Sequence, residues 1–253
     1  MSGRIDIKSR GLILLIMIAA SGASILSTDL YAPTLPHLPA YFGTDATTVQ
    51  LTMALNMGAY AISQLLWGPL GDRYGRRAIF VYGMAAFLLT VLAAAVSQTI
   101  GQLIVARILM GAAASVEAVI VLVVIGDLYE GEESAKVFAL YGMVVSLVPA
   151  VGPILGGFIF EWFGWRANFF VLAGVVAAVF AVGLVRLPET LPVVERTALK
   201  LRAIVSGYGQ LLMRGGFVTV AMTLGLAIGA IFAYITEAPF ILIDKHGVAT
   251  RYF

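Results

Sequence analysis

The 253-residue chain contains no cysteine. Disulfides and thiolate-held metals are therefore excluded as organising elements. Histidine is nearly as scarce: His37 and His246 lie in separate inter-span segments, with no companion ligands at metal-binding spacing, so no metal site is expected. Charge is the third shortage. Asp, Glu, Lys and Arg make up 12% of the chain, about half of the ~25% usual in soluble domains. No nucleic-acid partner is expected of so sparsely charged a chain. H-E-x-x-H, a phosphate-binding glycine loop and a Ser/His/Asp set at one depth are all missing. Those absences argue against an enzyme and against a cofactor. The last apolar run has no lysine, which removes a retinal-type seven-helix receptor.

Apolar residues are what the chain has in abundance, 60% with a mean hydropathy of +0.97. Seven runs approach the ~20 residues that a membrane-spanning helix needs: 11–28, 49–66, 78–96, 103–125, 137–160, 167–185 and 215–235. An all-α, polytopic membrane protein follows. Arg4, Lys8 and Arg10 before the first run imitate a signal peptide. The run continues to Leu26 and six more follow, so an uncleaved first helix is the better reading.

Between the second and third runs lies Gly68-Pro69-Leu70-Gly71-Asp72-Arg73-Tyr74-Gly75-Arg76-Arg77, read as a short basic loop. Counting Lys and Arg in alternate loops orients the chain. One side holds Arg4, Lys8, Arg10, Arg73, Arg76, Arg77, Lys136, Arg186, Arg196, Lys200, Arg202 and Arg214, twelve in all. The other holds three, Arg166, Lys245 and Arg251. The positive-inside rule then places the N-terminus in the cytoplasm. The acidic stretch 127–133 falls on the same inner side, where Asp127 either partly neutralises the basic loop or belongs to a solvated charge run. The long connection 187–214 is either an amphipathic helix on the inner surface or a flexible linker with Gly207 and Gly209.

A few polar residues interrupt the spans. Asp29 near the outer end of the first and Arg107 near the outer end of the fourth share a depth, each within ~6–8 Å of its helix end. Pairing would lower the cost of burying either charge, or both side chains snorkel to the interface. Glu117 lies ten residues further along, about 80° round the helix, and cannot touch Arg107. An acid so deep should face a polar cavity or a cation. Thr52, Asn56, Tyr60 and Gln64 recur every four residues and share one face of the second span. That face looks into the bundle or a water-filled path, or it serves only interhelical hydrogen bonding. In the fifth span Gly152 and Gly156 form a small-xxx-small pair, and Pro149 and Pro153 remove backbone donors from one face.

These residues carry a resemblance. Gly68-x-Leu70-x-Asp72-Arg73-x-Gly75-Arg76-Arg77 resembles the signature between helices two and three of the major facilitator superfamily. Arg107 with Gly111-Ala112-Ala113 resembles its helix-four motif, with Met110 in place of the usual glutamine. Gly152-Pro153-x-x-Gly156-Gly157 is similar to the helix-five motif of its antiporters. Ser27-Thr28-Asp29-Leu30-Tyr31-Ala32-Pro33, Gly164-Trp165-Arg166 and Pro188-Glu189-Thr190-Leu191 look like the bicyclomycin/chloramphenicol-resistance branch of drug:proton antiporters.

The resemblance implies a proton-coupled multidrug exporter of small lipophilic compounds in the bacterial inner membrane, its halves each an inverted pair of three helices. Asp29 would be the proton-coupling carboxylate with Arg107 beside it. Tyr31, Asn56, Gln64 and Glu117 would meet substrate. Asp72 would hold a cytoplasmic gate shut against a helix of the opposite half, within a gating set of Gly68, Asp72, Arg73, Gly75, Arg76, Arg77 and Asp127. Gly152, Pro153, Gly156 and Gly157 would pack against that other half. Residues 1–187 would form a six-helix bundle, 188–214 a cytoplasmic central segment, and 215–253 the first helix of an incomplete second half with a periplasmic tail. Arg251-Tyr252-Phe253 resembles the start of an eighth helix. On this reading the chain is a fragment or truncated product, lacking its C-terminal half or rebuilding a pore as a homodimer. The alternative is a half-transporter with no transport of its own, a membrane packing partner.

The lack of cysteine makes the orientation directly measurable. In intact cells, a membrane-impermeant thiol reagent should label Gln98→Cys and leave Ser134→Cys unlabelled until the membrane is opened; the opposite pattern would invert the topology.

Overall fold

The computed structural model describes residues 7–192, 194, 196, 201–246 and 249–250. Among them there is no strand. Arg4 and Lys200 of the charge count, and the end at Arg251-Tyr252-Phe253, lie outside the described residues. The helices are α1 (Ile7–Asp29), α2 (Leu38–Phe42), α3 (Ala46–Tyr74), α4 (Arg76–Ala95), α5 (Ile100–Leu128), α6 (Gly131–Phe163), α7 (Trp165–Arg186), α8 (Leu201–Leu212) and α9 (Gly215–Pro239). A 3₁₀ segment, Ala32–His37, joins α1 to α2, and a π-helical turn, Phe240–Lys245, follows α9.

Among the described residues six helices are long and apolar enough to cross a membrane. The second run, inside α3, falls short on hydropathy because Thr52, Asn56, Tyr60 and Gln64 dilute it. At ~1.5 Å per residue the 29 residues of α3 still reach about 43 Å, more than the hydrocarbon core. Its polar groups find partners inside the bundle, as described below, so low hydropathy does not cost it a place among the spans.

The segment read as a basic loop is almost entirely helical. α3 runs on to Tyr74 and α4 starts at Arg76, leaving Gly75 alone as the break. Gly75 has φ +98°, in the region that favours glycine. A side chain there would also collide with the Glu189 carboxylate. Asp72, Arg73, Arg76 and Arg77 therefore all sit on helical turns on either side of one glycine.

α5 is the hub. It packs on α3, α4 and α1, while α7 packs on α4 and α1, and α6 packs on α1. Burial follows that order: 61% of the apolar stretch of α5 is covered, against 17% for α6 and 0% for α9. The core is built from Phe80, Met84, Phe87, Met110, Val116 and Val176 among others, all with almost no exposure. Small residues set the helix spacing. A Cβ at Gly111 would strike the backbone of Asn56, one at Gly83 would strike Val116, and one at Gly156 would strike the backbone of Leu30. In lipid, where no hydrophobic force drives helices together, such close approach is a main source of affinity.

The central connection contains the helix α8, so the helical alternative holds over 201–212. The Tyr208 hydroxyl donates to the Leu65 carbonyl at 2.9 Å and ties α8 to α3. α9 touches the bundle mainly at its far end, where Gln50 Nε2 donates to Glu237 Oε1 at 3.0 Å. Between them an open cleft of about 410 Å³ is lined by Leu51, Met57 and Phe232.

Because backbone atoms cannot yield as a flexible side chain can, Gly111→Ala should lower stability by about 1–3 kcal/mol. Gly174→Ala, with nothing within 4 Å of the added carbon, should be neutral or stabilising by up to ~1 kcal/mol. Thermal unfolding of the two variants in one detergent tests the contrast.

Candidate proton and substrate site

The end of the bundle that holds the α1 C-terminus and the α5 N-terminus buries two ionisable side chains. Arg107 is fully buried. Its Nη1 donates to the Ser27 carbonyl at 2.8 Å, Nη2 reaches Met53 Sδ at 3.2 Å, and the guanidinium lies 4.7 Å from the Tyr31 ring centre. One side chain thereby joins α5 to α1 and α3. Tyr31 is held in turn: its hydroxyl is 2.8 Å from Thr52 Oγ1, and its ring packs on Phe169 at 5.4 Å. Asn56 Nδ2 donates to the Arg107 carbonyl at 2.7 Å. A cation over an aromatic face is favourable by ~0.5–2 kcal/mol.

Asp29 is 4% exposed, and its Oδ2 has no hydrogen-bond partner. The shared depth expected of Asp29 and Arg107 is present, since Arg107 binds α1 two residues before Asp29. The expected ion pair is not. Among the described residues no carboxylate pairs with Arg107. The reason is direction: Asp29 packs against Gly152 of α6, while Arg107 reaches α1 from α5. A Cβ at Gly152 would fall 2.5 Å from Asp29 Cβ. The glycine pair Gly152 and Gly156 therefore faces α1 in its own half, where packing against another half was expected.

Glu117, 2% exposed, occupies a separate polar cluster. Ser21 Oγ donates to its Oε2 at 2.5 Å, and the Tyr60 hydroxyl approaches Oε1 at 3.4 Å. Ser21 Oγ also lies 2.9 Å from the Tyr141 hydroxyl. The cluster thus draws on α1, α3, α5 and α6. The stripe on α3 looks into the bundle: Thr52 meets Tyr31, Asn56 meets Arg107, and Tyr60 meets Glu117. Of the residues expected to touch substrate, Tyr31 and Asn56 are sealed at 1% and 2% exposure. They offer no surface here, because their polar atoms are used to join helices. Gln64 is half-buried and stays available.

Sequence reasoning missed two features. Trp67 Nε1 donates to the Ala112 carbonyl at 3.0 Å and Ser115 Oγ at 2.9 Å. Arg166 stacks on Trp165 at 4.3 Å and Tyr41 at 5.1 Å, and donates to the Ser97 carbonyl. The second had a legible signal, an arginine beside a tryptophan at a span end.

At the α3–α4 junction Arg76 Nη1 donates to Asp72 Oδ1 at 2.6 Å, and Arg76 Nε lies 3.7 Å from Asp127 Oδ2. Asp127 thus does neutralise a basic residue of the α3–α4 junction. Thr190 Oγ1 donates to Asp127, and Glu189 accepts from the Arg76 backbone N–H at 2.8 Å and from Arg196. Asp72 pairs with Arg76 inside this bundle while nearly half of its side chain stays exposed. Arg77 ties α4 to α7 through the Leu184 carbonyl, Arg73 lies over the Tyr74 ring, and a Cβ added at Gly68 would meet Val119 at ordinary distance.

Comparison with known proteins gives a consistent picture. The family described as Major Facilitator Superfamily matches residues 14–251. The chain is 32% identical over 230 residues to an uncharacterized MFS-type transporter, YdgK, of Bacillus subtilis (strain 168), covering 90% of this chain and 57% of that protein. It is 32% identical over 228 residues to a chloramphenicol resistance protein of Pseudomonas aeruginosa (88% and 52%). It is 28% identical over 227 residues to a bicyclomycin resistance protein homolog of Haemophilus influenzae (89% and 56%). A bacterial homolog of the human lysosomal transporter Spinster, in an inward-facing and unoccupied conformation, superposes with a TM-score of 0.76 at 14% identity, covering 98% of this chain and 58% of that one. The chain spans about half the length of the curated relatives it matches.

A buried cation without a countercharge is a stability cost of several kcal/mol. Arg107→Met, similar in length and apolar, should therefore keep or raise the melting temperature, whereas Arg107→Ala should lower it by leaving a cavity beside Tyr31. A large loss of stability in Arg107→Met would show that the guanidinium is held for the fold.

Proposed function

Because the chain belongs to the Major Facilitator Superfamily, we propose that it contributes to proton-coupled export of small lipophilic compounds across a bacterial cytoplasmic membrane, with its N-terminus inside. Six long apolar helices make it a multi-pass membrane protein. The observation that carries the reading is Asp29: a buried acid with an unpartnered oxygen, against the Gly152 face of α6, at the depth of Arg107. Such an acid binds and releases protons at a cost set by its surroundings. Protonation removes the lone negative charge between α1 and α6 and so changes how those helices pack. The driving force is adequate, since one charge crossing 100 mV supplies roughly 2.3 kcal/mol.

Substrate would meet Gln64 and the half-buried side of Tyr60, beside the Glu117 cluster. Apolar walls with a few polar groups suit many lipophilic molecules. The Asp72–Arg76–Asp127 cluster would act as the inner gate, with Glu189 and Thr190 holding the central segment onto it. Residues 1–187 would be one half of the transporter and α9 the first helix of a second.

A second reading is a chain that does not transport alone and packs against a partner in the membrane, as the uncovered length of α9 would allow. One experiment separates the readings. In proteoliposomes with an imposed proton gradient, the wild-type chain should accumulate a lipophilic dye and Asp29→Asn should not. Equal accumulation by both would discard Asp29 as the coupling site, and none by either would select the packing partner.

A further inference from the structure

The Glu117 cluster is not used by the coupling step assigned to Asp29, and its geometry is that of a proton relay. Glu117 is joined through Ser21 to Tyr141 by contacts of 2.5 and 2.9 Å. Ser21 is 2% exposed, while Tyr141 is only partly covered, so the chain of hydroxyls leads from a sealed acid to the edge of the bundle. Ser24, also buried, faces the carboxyl from the same helix.

The groups around the acid are all neutral hydroxyls: Ser21 and Ser24 on α1, Tyr60 on α3 and Tyr141 on α6. Arg107, the one basic residue of α5, is committed to Ser27, Met53 and Tyr31. Among the described residues no Lys, Arg or His forms an ion pair with Glu117. A hydroxyl both donates and accepts. The same cluster therefore accommodates an ionised carboxylate, which takes two hydrogen bonds, and a protonated one, which donates its own. A site built to bind a fixed cation would leave acceptors turned inward; this one turns donors toward the acid.

We propose that Glu117 is a second proton-binding carboxyl, separate from Asp29, loaded and unloaded through Ser21 and Tyr141. On uptake, Glu117 Oε2 takes the Ser21 proton, Ser21 Oγ takes the Tyr141 proton, and Tyr141 Oη is reprotonated by hydrated proton at the bundle edge. Each hydroxyl ends as it began, and the carboxylate has become a carboxylic acid. Release is the reverse, with water as the final acceptor. The proposal rests on the reading of the protein as proton-coupled, but its test does not depend on transport.

The 253-residue chain in lipid nanodiscs is titrated between about pH 5 and about pH 9 while the carbonyl stretch of protonated carboxylic acids is followed by infrared difference spectroscopy. Wild type and Asp29→Asn should both show a titrating band that is lost in Glu117→Gln. Ser21→Ala should shift its frequency, and Tyr141→Phe should slow its response to a pH jump. If Glu117→Gln removes no band, or if Ser21→Ala and Tyr141→Phe leave the band and its kinetics untouched, the relay is overturned. If Glu117→Gln removes no band but abolishes binding of tetraphenylphosphonium, the acid is a contact for organic cations and the proton assignment is wrong. Melting temperatures of the variants separate these results from loss of fold. Failure of Asp29→Asn to alter export would discard the coupling reading and leave the band assignment intact.

Discussion

A guanidinium with no countercharge sits where three helices meet. In the middle of an apolar bundle the Arg107 charge cannot be left bare, so every nearby group that can soften it is recruited: the Ser27 carbonyl on α1, the Met53 sulfur on α3 and the face of Tyr31. Each recruit belongs to a different element, so meeting the needs of the cation also sets how α1, α3 and the segment after α1 stand around α5. Asn56 completes the arrangement by binding the carbonyl of Arg107 itself. Neutral dipoles and a π-face replace the expected carboxylate. That leaves Asp29 free of a fixed partner, which is the condition for an acid that changes its charge state.

Close approach makes this possible. Gly111 lets the α3 backbone come near enough for the Asn56 amide to reach across, and Gly152 lets Asp29 lie against α6. Elsewhere a ring nitrogen and a hydroxyl bridge the helices, as Trp67 does to Ala112 and Ser115 and as Ser21 does to Glu117. The membrane interior gives such bonds no competitor in water. The polar residues of the spans are therefore its joints.

The α3–α4 junction obeys different physics. The pairs among Asp72, Arg76 and Asp127 are partly exposed and individually worth ~1 kcal/mol or less. Their importance is geometric: Glu189 and Thr190 bring the chain after α7 back to the α3–α4 junction, so the central segment starts from a defined point. Beyond it, α9 stands almost uncovered, held near α3 by Gln50 and Glu237.

Composition and period were enough to determine the class of the protein, the number of long helices and the polar stripe on α3, because lipid forces backbone groups into helices and charges out of them. The depth of Asp29, Arg107 and Glu117 was legible for the same reason, since depth along a helix is a count of residues. Azimuth was not. Whether Asp29 met Arg107 or Gly152, whether Asn56 faced a cavity or a carbonyl, and which hydroxyls gathered round Glu117 depended on how helices far apart in sequence were rotated against one another. The basic segment shows the same limit: its glycines and charges read as a loop, yet only Gly75 departs from helix, because the Asp72–Arg76 pair and the Glu189 cap support the ends of α3 and α4. One chain therefore settles what must be buried and how deep, while packing alone decides which buried groups face each other.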